Sequence, residues 1–516
     1  MLLCIFSGII FQGFFSVIIN QEKMTTSELQ NQVCREWTEK LLTMTKEMRK
    51  RDLSLHLGSE RTRNDTPGTM ELAEVEEIKH AFGTVGFAGR VYYQAVDYFI
   101  RSKVEPFQAV LNTWMRGAKA KVNAREVPFT EVITWCQETG DNQARSALAK
   151  EARSICAFLA PFSYASWKAL LNVLEHDLDY PEYIAFCEEK RDVSLTESGS
   201  YAQDFLVETR ETYRGLIEPW LKKVTRISLK DASRFDAIYL LGLRYLDHLF
   251  PQGLTIEKIV SFFHKWGMDL AGNPALHIHS EGIPGRQSYC IPVDIPGEVH
   301  VIVGPLHGWL DMESLFHELG HALSFIYTDP ALPPEEKDFF QSGALSEAFA
   351  FLFQRMCMSG EFLQETLGLS SGNAQAVSRA HALKWLTLTR RYGAKLVIEV
   401  ENFRIGRLRK GQSLYSEIMG RETCFYYDPE TYLFDLMPDF YSLDYFQAFM
   451  GAACLWEYLN EAVGEDWILN PETGSILHRW WRNGNRLDLS AFLQETLDRP
   501  LESGPFIKVN QYDLGS

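Results

Sequence analysis

The chain has no Cys-x-x-Cys pair, no glycine-rich phosphate loop, no internal repeat and no dense basic cluster. Each absence removes a class of function. Nine cysteines are scattered over 516 residues, an odd number without close pairing. That excludes a disulfide scaffold or a cysteine-based zinc site and makes a reducing compartment the default. No cysteine stands in a nucleophile signature. Without G-x-G-x-x-G or a P-loop, the dinucleotide and nucleoside-triphosphate folds have no phosphate cradle. Lys plus Arg number 51 against 68 Asp plus Glu, a formal charge of −17. A nucleic-acid partner would require a basic face that this balance does not supply. The run Lys46-Glu47-Met48-Arg49-Lys50-Arg51 reads as the solvated face of an early helix. Gly and Pro follow no period, so a fibre is excluded. With 46% hydrophobic and 23% charged residues, global disorder is excluded too.

Charge is also missing from the N-terminus. No charged side chain precedes Glu22, and 14 of residues 1–19 are apolar. A signal peptide would have a basic start and a small-residue cleavage site, and neither is present. Ser7, Gly8, Gln12, Gly13 and Ser16 dilute a stretch already short for a membrane span. Insertion would leave Lys23, Arg35, Lys40 and Lys46 on the cytoplasmic side. The expectation is a cytoplasmic main body, with membrane association only if residues 1–19 insert.

What is present is mostly helical texture. In 145–159, Leu148, Ala152, Ile155 and Leu159 recur at helical steps between Arg145, Lys150, Glu151 and Arg153. Segments 203–225 and 233–249 read alike. Turn chemistry marks breaks at Thr66-Pro67-Gly68, Thr139-Gly140-Asp141-Asn142 and Pro251-Gln252-Gly253. Between 275 and 305 the period changes to alternation at 276–279, 288–293 and 299–303, bounded by Gly282-Ile283-Pro284-Gly285 and Ile295-Pro296-Gly297. Helical pattern resumes after Asp311. Length allows about three domains or one large two-lobed unit. The division expected is an apolar segment 1–23, a helical lobe 24–270 and a catalytic region 271–516.

The helix after the strands carries Phe316-His317-Glu318-Leu319-Gly320-His321-Ala322-Leu323, an H-E-x-x-H motif. Asp311 is the expected N-cap. His317 and His321, four apart, share one face and can reach a single Zn²⁺. Glu318 is turned off that face and can serve as a base without ligating. Gly320 leaves space beside the helix. A strand before the motif helix could hold an extended peptide at its edge. A third ligand is expected downstream. Segment 344–357 is strongly apolar, and Glu347 is its only acidic residue; a buried carboxylate needs a cation or a metal. A helix-dipole carboxylate is the other reading of Glu347. His277, His279 and His300 fall on the strands, and His307 lies in the loop before the motif. These four, and the thiol of Cys290, read as structural.

This stretch, with Glu347 26 residues after His321 in a Ser-Glu-Ala-Phe helix, resembles the thimet oligopeptidase / oligoendopeptidase F family of zinc metallopeptidases. The resemblance takes in 289–294, the strand at 299–303 and a tyrosine-rich segment at 440–446. It covers the second half of the chain; the first half is compatible but carries no motif. It implies a mostly α, two-lobed fold of gluzincin type with a small β-sheet beside the zinc helix and a deep central channel. It also implies one Zn²⁺ per chain on His317, His321 and Glu347, with Glu318 as base. Tyr441 and Tyr445 match the family's transition-state tyrosines. The chain departs from the pattern in two places: the third tyrosine falls near Ala448, and no histidine occurs in 432–439.

The function expected is a zinc metalloendopeptidase that hydrolyses internal bonds of short peptides, monomeric, without nucleic-acid partners. A related zinc carboxypeptidase and a catalytically silent peptide-binding protein are the alternatives.

Overall fold

The computed structural model describes residues 26–58, 68–280, 288–404, 406 and 408–514. The apolar segment at the N-terminus, the turn at 282–285 and Thr66-Pro67 lie outside the described residues.

Helical periodicity builds the first half as α1 (Thr26–His56), α2 (Gly86–Gly117), α3 (Asn142–His176), α4 (Leu195–Glu208), α5 (Arg210–Thr225) and α6 (Arg234–Leu241), with further helices between them, among them Leu72–Phe82 and Tyr183–Arg191. On α3, Leu148, Ala152 and Leu159 form the buried stripe. Arg145 departs from the solvated-face expectation. It is buried and paired to Asp236 at 3.0 Å, and its Nη1 donates to the Thr139 carbonyl. Arg49 does the same in the basic run of α1, reaching Asp338 at 2.7 Å. Both are long side chains whose charge meets a distant carboxylate that local pattern cannot reveal. The 233–249 stretch is not one helix. It breaks at Leu243 (φ 55°) and continues as a 3₁₀ turn. Between α2 and α3 an unforeseen hairpin, β1 (Lys119–Val122) and β2 (Arg125–Pro128), pairs Ala120 with Val127. Four-residue strands are too short to announce themselves by alternation.

The alternating region folds as β3 (Leu276–His279), β4 (Tyr289–Asp294) and β5 (Glu298–Ile302), in the order β3-β5-β4. β5 is central, parallel to β3 and antiparallel to β4, with Cys290 opposite Val301. β4 is therefore an edge strand of the sheet. The second half then supplies α7 (Trp309–Ile326), α8 (Ala344–Cys357), α9 (Ser371–Arg404) and α10 (Tyr441–Ala462), followed by three shorter helices.

Asp311 is not the N-cap of α7. The helix begins after Gly308, and the Trp309 N–H is taken by Asp247 Oδ1 at 3.0 Å, a capping carboxylate from the first half. Asp311 lies inside the first turn, where it accepts the His307 N–H and binds Arg244 through both oxygens.

One buried hydrophobic cluster runs from Leu41 to Phe506 and crosses the 270/271 division without a gap. It holds α7 and α8 as its central pair. Gly320 sets their separation: a Cβ there would come within 2.5 Å of the Ala350 Cα. Among the described residues no helix is long and apolar enough to cross a membrane. The eight described cysteines are free thiols.

Candidate metal centre

The crossing at Gly320 brings the first turn of α8 against the H-E-x-x-H face of α7. Glu347 Oε2 lies 3.4 Å from His317 Nε2 and 3.6 Å from His321 Nε2, and the two Nε2 atoms are 3.3 Å apart. Among the described residues these three form the one His/Cys/Asp/Glu group with ligand atoms close enough to hold an ion.

The outer atoms of these side chains are already engaged. His317 Nδ1 meets Gln354 Oε1 at 3.1 Å, and His321 Nδ1 meets Ser346 Oγ at 2.8 Å. In the tautomer that donates Nδ1–H outward, each Nε2 would present a lone pair to the centre. Glu347 Oε1 accepts the Tyr441 hydroxyl at 2.7 Å, while Oε2 is buried without a hydrogen-bond partner. Three atoms of ligand type thus converge on one point, and against burial the Glu347 carboxylate beside it helps hold the His317 imidazole above its usual range. A buried acceptor left unpartnered, as Oε2 is, costs about 1–3 kcal/mol. The triangle has the dimensions of a metal site. Ligands at 2.0–2.1 Å in tetrahedral array stand roughly 3.3–3.4 Å apart. Zinc fits the donor set, two imidazoles and a carboxylate.

Burial opposes ionisation of Glu347, but His321, His317 and Tyr441 outweigh it and hold its carboxyl below the usual range. Burial lowers the His321 imidazole to about 4, and Glu347 only partly offsets this. Glu318, one residue off the ligand face, is 9% exposed. Burial pushes it up to about 7, assisted by the Glu347 charge and opposed by His317 and a Cys290 backbone hydrogen bond. Glu318 therefore rests on the edge strand β4, beside the place where an extended chain would pair.

The two tyrosines, four apart at the start of α10, have different surroundings. Tyr441 is committed to the Glu347 carboxylate. Tyr445 lies 5.1 Å from the Tyr441 ring and 4.6 Å, stacked, from Tyr392 of α9. Burial raises its hydroxyl well above the usual tyrosine range, with Glu347, Tyr392 and Glu318 adding to the effect. The phenol stays protonated and is a donor. Ala448 is buried helix surface with no hydroxyl to offer.

Gln354, Ser346 and Tyr392 were not foreseen. Gln354 had a signal: it lies seven residues after Glu347 on α8, two turns along the same face. Tyr392 had none, because its place depends on how α9 crosses α10. The remaining histidines stay apart from the centre. His277 and His279 stack on His300, which also meets Glu298, and His307 is exposed in its loop. The Cys290 thiol is held well above its usual range by burial, with Glu318 adding.

No protein-family model and no curated protein matches the sequence. Solved structures do match in fold. A protein assigned as an oligoendopeptidase F from Bacillus anthracis str. Ames superposes with a TM-score of 0.59 at 12% identity, over 85% of this chain and 78% of that one. A PZ peptidase A, solved with an inhibitor, gives 0.54 at 13%, over 85% and 81%. At such identity the likeness carries architecture rather than activity: the chain has the mostly helical fold of these oligoendopeptidase-like proteins.

Proposed function

We propose that this protein is a zinc-dependent oligopeptidase that hydrolyses internal bonds of short peptides, with one Zn²⁺ per chain and no obligatory partner subunit. The observation that carries the reading is the buried triangle of His317, His321 and Glu347, three atoms of ligand type facing one another at ion-holding distances. Zinc held there would supply Lewis acidity toward a peptide carbonyl and acidify a water. Glu318 takes a proton from the attacking water and hands it to the leaving amine nitrogen, and a carboxyl near 7 is suited to both acts. Tyr445 donates to the oxygen that becomes negative as the carbonyl is attacked. Tyr441 fixes the orientation of Glu347 and acts through it. The edge of β4 aligns an extended backbone by main-chain hydrogen bonds. The free cysteines suit a cytoplasmic setting.

The test is an internally quenched peptide blocked at both ends, with zinc measured in the same samples. Cleavage at an internal bond, and a Glu318→Gln variant that keeps one zinc while kcat falls roughly 10²–10⁴-fold, are expected. Near-normal turnover in that variant sinks the base assignment. Cleavage confined to substrates with a free C-terminus points instead to a carboxypeptidase.

A further inference from the structure

On the far side of Tyr392 from the metal centre, three cations meet one carboxylate oxygen. Arg391 and Lys395 of α9 and Arg234 of α6 all address Asp435 Oδ1. Arg391 pairs with it closely, while Lys395 and Arg234 stand off at 3.5 and 3.6 Å. The other oxygen, Oδ2, is taken by the Tyr415 hydroxyl at 2.9 Å. No other carboxylate among the described residues lies within salt-bridge distance of these three. The next acidic group, Glu399, spends its Oε1 on Ser442 and the Met437 N–H. Its Oε2 is buried without a hydrogen-bond partner, and its charge acts on Lys395, so two carboxylates answer three cations.

Such an excess is costly in a protein interior unless an anion or water completes it. The cluster is not fully sealed, although the Lys395 side chain is only 4% exposed. The Arg391 and Arg234 side chains keep 15% and 19% exposure. A cluster serving only to clamp helices would be sealed and neutral. The Arg145–Asp236 pair, 1% and 5% exposed, is of that kind.

The cluster is joined to the metal centre by aromatic rings. The Tyr441 hydroxyl donates to Glu347, Tyr441 contacts Tyr445, and Tyr445 stacks on Tyr392. Arg391 Cζ and Lys395 Nζ then lie 5.3 and 5.6 Å from the Tyr392 ring centroid.

We propose that Arg391, Arg234 and Lys395 form an anion site for the C-terminal carboxylate of a peptide whose scissile bond lies a few residues upstream. The inference rests on the oligopeptidase reading and deepens it. It makes the substrate's free end the ruler that selects short peptides. Guanidinium forks suit a carboxylate, and the tyrosine rings give the intervening residues an apolar wall.

The test compares N-acetylated peptides of one sequence and graded length that end as free acid or as amide. A third set is amidated but carries a terminal glutamine or glutamate. The expected result is that the free acid exceeds the amide in kcat/KM by 10-fold or more, chiefly through KM, at a preferred distance from the cut. The side-chain carboxylate is expected to recover little. Arg391→Gln brings the acid-to-amide ratio toward 1; Arg391→Lys keeps part of it, and Arg234→Gln serves if the first variant folds poorly. Equal kcat/KM for acid and amide overturns the anchor while leaving the peptidase intact. So does full recovery by glutamate, which would make the site a side-chain pocket. Calorimetry on the zinc-free protein with an N-methylated, uncleavable acid and its amide separates the two ideas. Preferential binding of the acid without any cleavage keeps the anchor and discards the hydrolysis. Equal weakening of acid and amide by added chloride, with no preference between them, assigns the cluster to inorganic anions and overturns the proposal.

Discussion

Helix α7 contributes to two His/Glu clusters about one turn apart, and they differ in their internal charge. In the first, Glu313 meets Lys384 in a close ion pair, and His381 Nε2 lies 3.1 Å from Glu313 Oε1. In the second, His317, His321 and Glu347 converge with no lysine or arginine among them. Histidine and glutamate are shared, although His317 and His321 are 18% and 14% exposed where His381 is 2%. The first cluster contains its own cation and is electrically closed. The second turns three atoms of ligand type toward one another and contains no lysine or arginine. Histidine and glutamate in one cluster thus do not by themselves mark a candidate metal site; an internal positive charge closes the first cluster and is missing from the second.

Four changes would break or sharpen that contrast. The largest effect is expected for Glu347→Gln, which removes the anionic corner of the second cluster. Zinc content should fall from one per chain toward none and peptide cleavage should vanish, read by metal analysis of dialysed protein. Retention of one tight zinc would show that the histidines suffice. Next, Lys384→Met opens the closed cluster by stranding Glu313. About 3–5 kcal/mol of stability should be lost in urea unfolding, with zinc stoichiometry unchanged. A variant that loses zinc but not stability would reverse the roles assigned to the two clusters.

The third change is pH. Burial opposes ionisation of Glu313, but Lys384 and His381 overcome it and bring its carboxyl down to about 2. A depressed carboxylate contributes its full stabilisation above its unfolded value, near 4.3, and loses it as pH falls toward 2. His381, held low by burial, pulls in the same direction because it must charge on unfolding in acid. About 3 kcal/mol should disappear over that window. In urea midpoints measured from pH 6 to 2.5, Glu313→Gln should flatten the slope; an unchanged slope would place the acid sensitivity elsewhere. The smallest effect is expected for Gln354→Ala, which frees His317 Nδ1. Zinc affinity should weaken roughly 10–100-fold by chelator competition, with the fold intact. No change would mean that the Gln354 contact does not orient the ring.

The motif and its supporting segments were legible because their spacing is local. His317 and His321 share a face by helical geometry alone, and Glu347 stood out as the lone acid in an apolar helix. The three strands at 276–302 were visible by alternation. Gly320 was legible as a small residue, though its use was not: it lets the α8 backbone pass. Asp247 as the cap of α7, Arg49 on Asp338 and Tyr392 on Tyr445 were out of reach. Each pairs residues from distant segments, and nothing in either segment names its partner.

The sequence by itself determined the helical character of the chain and the shared face of His317 and His321, since both follow from periods of two to four residues. Tertiary structure alone decided that Glu347 meets the histidines, that Tyr441 holds Glu347 while Tyr445 stays free to donate, and that three cations share one aspartate. Those facts depend on the separation and crossing of α7 through α10, which side-chain packing fixes across gaps that no local period spans.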